Sequence, residues 1–403
     1  MKIRSVTFFL DPRTDSIEQA GAAAAQSMSA FQQAGYEVQT TRLATTPFPQ
    51  MLDGKSEDEA IAWVQQLEEE ATAQGFGYTA IGPAQLDQPE WYSLIPRIIL
   101  NTETVFCSAE MATRSGGLSL SAVQACAQII TELAPQDPNG FANLYFTSLA
   151  NVDAGSPFFP GAYHSGGTPS FALATEAAGL AVSAFESAAT LNEGLEGLKS
   201  SLRKHATQLA ATGDQVGAAT GFQFTGIDFS LAPFPEESDS LGAALERMGV
   251  PKAGMHGSLA GAAMLAAALD EVDFPRVGFS GLLFPQLEDS VLADRAAEGV
   301  LTVKDLLMYS AVCGTGLDTI PLPGDIHADE LSPLLLDLAA LALRLDKPLT
   351  ARLMPVPGKS AGDATSFNFA FFANSKVMPL SAQPLGTKIV ESAPVHIQPR
   401  ARS

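Results

Sequence analysis

The sequence predicts an α/β protein built on a mostly parallel sheet, and three observations lead there. Short β-branched or aromatic runs alternate with longer Ala/Leu/Glu segments, the pattern of strands and helices taking turns around such a sheet. About ten strand-like runs fall into two sets of about five, separated by a long alanine-rich stretch. The chain of 403 residues is 46% hydrophobic and 17% charged, enough to bury a large core and long enough for two packed halves or one large barrel.

Taken in order, "RSVTFFL", "EVQTTRL", "YTAIGP", "TVFCSAEM" and "ANLYFTSLANV" supply the first set of strands. From about residue 170 to about 213, apolar residues recur at helical spacing in "LATEAAGLAVSAFESAATL" and "LEGLKSSLRKHATQL", which predicts helix. "GFQFTGIDFSL", "RVGFSGLLF", "GLDTIPL", "TARLMPV" and "KVMPL" supply the second set. The expected organisation is one large domain over residues 1–403, with pseudo-halves at 1–150 and 220–380 joined by a helical segment at 165–215. Several strands run directly into acidic, glycine or proline residues, as in "DFSLAPFPEESDS" and "IPLPGD". In parallel sheets the loops after the carboxyl ends of strands usually hold the ligand, so chemistry is expected there.

Charge and cysteine content narrow the function classes. A net charge of −21 argues against a nucleic-acid partner, because phosphate-backbone binding needs clustered Lys and Arg. Three cysteines without C-x-x-C spacing indicate neither a disulfide framework nor a zinc knuckle, and suit a reducing compartment. The amino terminus reads as a first strand and not as a signal peptide. The most apolar helix segment, "LSPLLLDLAALALRLDKP", is interrupted by Asp337 and Arg344 and is too short to span a bilayer. A cytoplasmic protein with no membrane partner is expected.

Familiar cofactor motifs fail on inspection. "GTGLDT" begins like G-x-G-x-x-G, but Thr319 stands at the third glycine and the run leads into a strand, not a helix. "PGKSAGD" lacks the first glycine of a phosphate loop, since Leu353 stands there. No nicotinamide or flavin fingerprint is present, and neither H-E-x-x-H, an EF-hand spacing nor G-x-S-x-G occurs.

The remaining candidates are single residues. Cys313 ends an apolar helix-like run before Gly314 and Gly316, where it would be a nucleophile if activated; an inert buried thiol is the favoured alternative, because no basic residue adjoins it in sequence. Tyr163 and His164 lie in the Pro/Gly-rich loop "SPFFPGAYHSGGTPS", better placed for function than a helical histidine such as His205, with a purely structural role equally open. Asp153, Asp228, Glu288, Asp289, Asp318 and Asp325 occupy expected strand ends. Convergence would make them hard ligands for Ca²⁺ or Mg²⁺ or an acid/base pair, whereas turn formation and helix capping are their plain roles, Asp289 capping "SVLADRAAEG" in particular. Arg352, within an apolar strand, must face a carboxylate or an anionic ligand, with the salt bridge favoured; Lys359 follows it in the next loop.

Five motifs occur in a recognisable order: "NVDAGSPFFPGAYHSGG", "FTGIDFSLAPFPEESDSLGAALE", "RVGFSGLLFPQLEDSVLADRAAEG", "LLMYSAVCGTGLDTIPLPGD" and "RLDKPLTARLMPVPGKSAGD". Together they resemble the DUF711 family, also called UPF0210, from roughly the first strand to about residue 380. That resemblance implies a fold similar to the pyruvate formate-lyase type barrel of glycyl radical enzymes, ten strands in two five-stranded parallel halves surrounded by helices. True glycyl radical enzymes carry a radical glycine in an Arg-Val-x-Gly-type motif near the carboxyl end. This sequence ends "PLGTKIVESAPVHIQPRARS" and lacks it, so no glycyl radical is expected.

The expected function is an enzyme acting on a small polar, carboxylate- or carbonyl-bearing metabolite inside the barrel, a metal-assisted hydrolase or lyase. The roles are His164 or Glu288 as general acid/base, Cys313 as possible nucleophile, Tyr163, Arg352 and Lys359 on the substrate, and Asp228, Asp289, Asp318 and Asp325 on a divalent cation. The alternatives are a metabolite or cation sensor without turnover and, more weakly, a structural scaffold. A homodimer is the default assembly.

Overall fold

The computed structural model describes residues 1–390 and 393–399. A ten-stranded mixed sheet runs through it: β1 (Lys2–Leu10), β2 (Val38–Thr45), β3 (Tyr78–Ala84), β4 (Val105–Thr113), β5 (Gly117–Leu118), β6 (Phe146–Ala150), β7 (Ser170–Glu176), β8 (Gln223–Asp228), β9 (Gly316–Pro323) and β10 (Leu349–Val356). Neighbours follow the order β8-β7-β1-β2-β3-β4-β6-β10-β9, with β5 attached to β4. The chain of parallel pairs β1–β2–β3–β4–β6 is flanked by the parallel pairs β7–β8 and β9–β10, which join it antiparallel at β1/β7 and β6/β10.

Alternation along each strand sorts side chains between two cores. Phe8 and Phe171 belong to the main core between the sheet and its helices, while their neighbours Phe9 and Ala172 join Ala44, Ala80, Phe106 and Phe159 on the other face. The helices start where the sequence supplies caps. Ser16 accepts from Gln19 N–H before the helix Ile17–Gln33, and Ser56 with Glu59 forms a capping box before Glu57–Ala73. Among the described residues no helix is long and apolar enough to cross a membrane.

Three sequence expectations change. The stretch predicted as helical from about residue 170 opens with β7, whose "SFALATE" is claimed by pairing to β1 on one side and β8 on the other before helix begins at Ala178. Tertiary pairing there overrides local propensity. "RVGFSGLLF" is not a regular strand, because Gly278 and Ser280 take left-handed backbone (φ 62° and 40°). It makes isolated parallel bridges instead, Ile227 to Arg276 and Leu231 to Leu282, and Pro285 just beyond it bridges Asp318. "KVMPL" is not a regular strand either: Lys376 bridges Ala364, closing a loop at residues 360–377, and Met378 N–H donates to the Pro321 carbonyl of β9 at 2.8 Å.

Register shifts mark five strand pairs: β1/β7, β3/β4, β4/β6, β7/β8 and β9/β10. Each such bulge bends its strand and re-aims a side chain. Two of them fall on charged residues of the cavity described next.

Candidate functional site

A cavity of about 100 Å³ opens on the inner face of the sheet, room for several waters or one small molecule. It lies at the amino-terminal ends of β2, β3 and β4, which contribute Thr40, Arg42, Tyr78 and Phe106, and at the carboxyl end of the opposed β7 and β8, with Thr175 and Asp228. The cavity thus lies at the carboxyl ends of β7 and β8 but at the amino-terminal ends of β2, β3 and β4, where the expectation from sequence places no site.

Three arginines and three carboxylates, Asp228, Glu288 and Asp318, line the cavity, and Glu288 and Asp318 pair with arginines. Arg4 stands in the β1 bulge against β7, between Ile3 and Ser5, where the shift turns it toward the cavity. Asp318 and Thr319 supply the extra residue of β9 opposite Arg352 of β10, and Thr319 takes φ 47°. Left-handed backbone is a real strain for a β-branched residue, here held beside the ion pair that it positions. Arg352 Nε donates to Asp318 Oδ1 at 2.5 Å and its Nη2 to Glu288 Oε1 at 2.8 Å; Arg4 Nη2 donates to the other Glu288 oxygen. Although burial opposes it, the charges of Arg4 and Arg352 hold Glu288 below the usual carboxylate range, while burial outweighs Arg352 and raises Asp318.

Arg42 is the exception. Its Nε donates to Thr40 Oγ1 at 2.9 Å, and its guanidinium carbon lies 5.6 Å from the Tyr78 ring centroid and 5.1 Å from that of Phe159. Among the described residues no carboxylate pairs with it and no hydrogen bond engages its terminal nitrogens. Burial, then the like charges of Arg4 and Arg352, push its pKa down to about 9. An anion on its free edge would relieve that cost.

The sequence-predicted residues divide. Asp228, Glu288, Asp318 and Arg352 all line the cavity. Asp228 accepts from Ser230 Oγ and from the N–H groups of Phe279 and Ser280, both at 2.9 Å, and a side chain at Gly278 would collide with its Oδ2. It therefore fastens the 276–285 segment to β8, although burial raises it.

The other candidates stand outside the cavity. Asp289, expected as a metal ligand, is spent on two helix starts: it caps Ser290–Ala297 through Val291 and Leu292 N–H and accepts from Leu241 and Gly242 N–H at the head of Leu241–Arg247. Asp325 is exposed in the turn after β9. Cys313 is 2% exposed, and the nearby Lys347 ammonium donates to its carbonyl, not to its thiol. Lys359 ties down its own loop by donating to the Ala364 carbonyl. Tyr163 donates to the Val152 carbonyl at 3.0 Å, and buried His164 docks by its backbone N–H on Thr45, at the carboxyl end of β2. Burial lowers the His164 pKa, and its Nε2 meets no partner. Among the described residues no group of three or more His, Cys, Asp or Glu could hold a metal ion.

Sequence reasoning passed over Arg4 and Arg42, which matter most here. The signal was available, since Arg42 is the one charged residue of "VQTTRLAT" and Arg4 the one charged residue of "KIRSVTFFL" after its first position, the same feature that singled out Arg352.

Comparison with known proteins places these residues in a wider context. A family model described as "Uncharacterised ACR (DUF711)" matches residues 1–372. The UPF0210 protein of Pyrobaculum aerophilum is 33% identical over 349 residues, covering 82% of this chain and 76% of its own. That of Pyrobaculum arsenaticum is 31% identical over 344 residues, with coverage of 82% and 76%. The UPF0210 protein of Lactobacillus delbrueckii subsp. bulgaricus is 28% identical over 380 residues, covering 90% of this chain and 84% of its own.

Proposed function

Because the chain belongs to the DUF711 family, a membership that brings no chemistry with it, we propose a function from the cavity itself: it binds a small anionic metabolite, with Arg42 as the anchor. The observation that carries this reading is the missing partner of Arg42. Arg4 and Arg352 are ion-paired with Glu288 and Asp318, and Asp228 is taken up by Ser230 and by the Phe279 and Ser280 N–H groups, so among the described residues Arg42 is left as a cavity guanidinium that no carboxylate pairs. Arg42 is half-buried and held, among the described residues, only by Thr40 Oγ1 and the rings of Tyr78 and Phe159, so an anion on its terminal nitrogens supplies the countercharge that its surroundings lack.

The bridges that carry residues 276–285 from β8 to β9 support a further step, that the sheet closes into a ten-stranded barrel of the pyruvate formate-lyase type around this cavity. For turnover, Asp318 is the acid/base that fits, since burial raises it and its Oδ2 is left free by Arg352, whereas both Glu288 oxygens are held by arginines. A sensor would use the same arginines without Asp318.

The test is a thermal-shift and calorimetric screen of small carboxylates and phosphates against the wild-type protein and Arg42→Met. Anion binding by the wild type, lost in a variant that melts at or above the wild-type temperature, is expected. Binding that survives in Arg42→Met sinks the reading. Asp318→Asn then separates enzyme from sensor: loss of ligand conversion with binding retained supports the enzyme.

A further inference from the structure

The walls of the cavity say more about the ligand than its charge. Beyond the arginines, several of its polar side chains are engaged within the protein: Thr175 Oγ1 donates to the Ser230 carbonyl at 2.9 Å, Ser230 to Asp228, and Gln39 Nε2 to Glu176 at 2.8 Å, which leaves the Tyr78 hydroxyl and Asp318 Oδ2 beside the arginines. Opposite them the lining is aromatic. Phe106 stands 4.8 Å from Tyr145 and 5.5 Å from Phe159 between ring centroids, and Phe158 packs edge-on to Phe279 at 5.1 Å. Phe369 and Phe371 reach the cavity from the 360–377 loop, held over it by edge contacts to Phe141 at 5.1 Å and Phe234 at 5.7 Å.

We infer that the ligand is a monocarboxylate with a planar apolar body, its carboxylate on the terminal nitrogens of Arg42 and its body against Phe106, Phe158, Phe369 and Phe371. The inference rests on the anion-binding reading above and deepens it. Three features choose this class. One guanidinium has no carboxylate partner among the described residues, which matches one negative charge; the second charge of a dicarboxylate or phosphate dianion would meet only guanidiniums already neutralised by Glu288 and Asp318. With Nε engaged by Thr40, the edge left on Arg42 is its terminal pair of nitrogens, which suits the two oxygens of one carboxylate. Away from the arginines, Asp318 and Tyr78, the polar groups of a fully polar ligand would face the phenylalanine rings without partners, a mismatch that a planar apolar body avoids.

The experiment is isothermal titration of the full-length protein with phenylacetate, benzoate, acetate, succinate and inorganic phosphate, repeated on Arg42→Met and Phe106→Ala. Phenylacetate or benzoate is expected to bind at least about 10-fold more tightly than acetate, succinate or phosphate, as one buried ring and one charged contact imply. Arg42→Met should weaken it by about 10-fold or more, and Phe106→Ala should erase the preference over acetate while leaving acetate binding in place. Succinate or phosphate as the tightest ligand, with dependence on Arg42, overturns the monocarboxylate class and leaves the anion site standing. No binding of any of the five anions, or binding indifferent to Arg42→Met, overturns both.

Discussion

Glu110 sits on the same face of β4 as Phe106 but further along the strand, outside the cavity, where it accepts from Leu86 N–H at 3.2 Å and has no cation beside it. Burial pushes its pKa up to about 7 from the ordinary 4.5. The native state thus keeps a proton that the unfolded chain releases, so stability falls as pH rises from about 4.5 to about 7 and is level beyond. At about 1.4 kcal/mol per unit, the penalty above pH 7 is roughly 3 kcal/mol. Glu110→Gln, which keeps an acceptor for Leu86, is expected to stabilise the protein by about 2–3 kcal/mol at pH 8 and by almost nothing at pH 4, read from urea unfolding. Equal effects at both pH values would show that Glu110 titrates alike in the native and the unfolded chain. The same strand shows why residue type alone is a poor guide to role. A buried acid on β4 has no arginine, while Glu288, far away in sequence, has two.

At the scale of elements, the segment from Pro285 to Asp289 joins the cavity to its scaffold. Glu288 faces the arginines and the next residue, Asp289, gathers the amino ends of Ser290–Ala297 and Leu241–Arg247, so two helix starts fix the backbone that presents Glu288. Asp289→Ala removes a shared cap and is expected to cost about 2–4 kcal/mol, with Asp289→Asn losing less because one acceptor oxygen persists. Urea midpoints of the two variants check the order, and an Asp289→Ala protein as stable as wild type would refute the shared-cap role. Capping was legible in "LEDSVLADRAAEG", since an acid before an apolar-periodic run is an ordinary helix start. Its second helix was not, because Leu241 lies 48 positions away and reaches Asp289 only through folding. β7 was misread for a related reason: seven alanine-, leucine- and threonine-containing residues suit helix or strand, and only the neighbours β1 and β8 decide between them.

Over the whole molecule, an excess of 44 acidic over 23 basic residues makes the folded state repel itself. Thermal stability is expected to rise by a few degrees, ~3 °C, between about 20 and 300 mM NaCl as screening shortens the Debye length. A melting temperature that falls with salt would instead make ion pairs such as Arg295–Glu246 the dominant surface term. Against that acidic background the cavity gathers arginines from β1, β2 and β10 and acids from β9 and the segment before Ser290, pieces spread over most of the chain. The family, the α/β alternation, eight of the ten strands and an arginine in an apolar strand that needed a partner were legible in the linear order of residues. Which carboxylates that arginine meets, that Asp289, Asp325, Cys313 and Lys359 stay away, and that Arg42 meets none among the described residues emerges only on folding. The reason is geometric: successive strand residues point to opposite faces, and the bulges at Arg4 and at Asp318–Thr319 each shift that alternation by one residue, turning charge inward at positions that local sequence leaves undetermined.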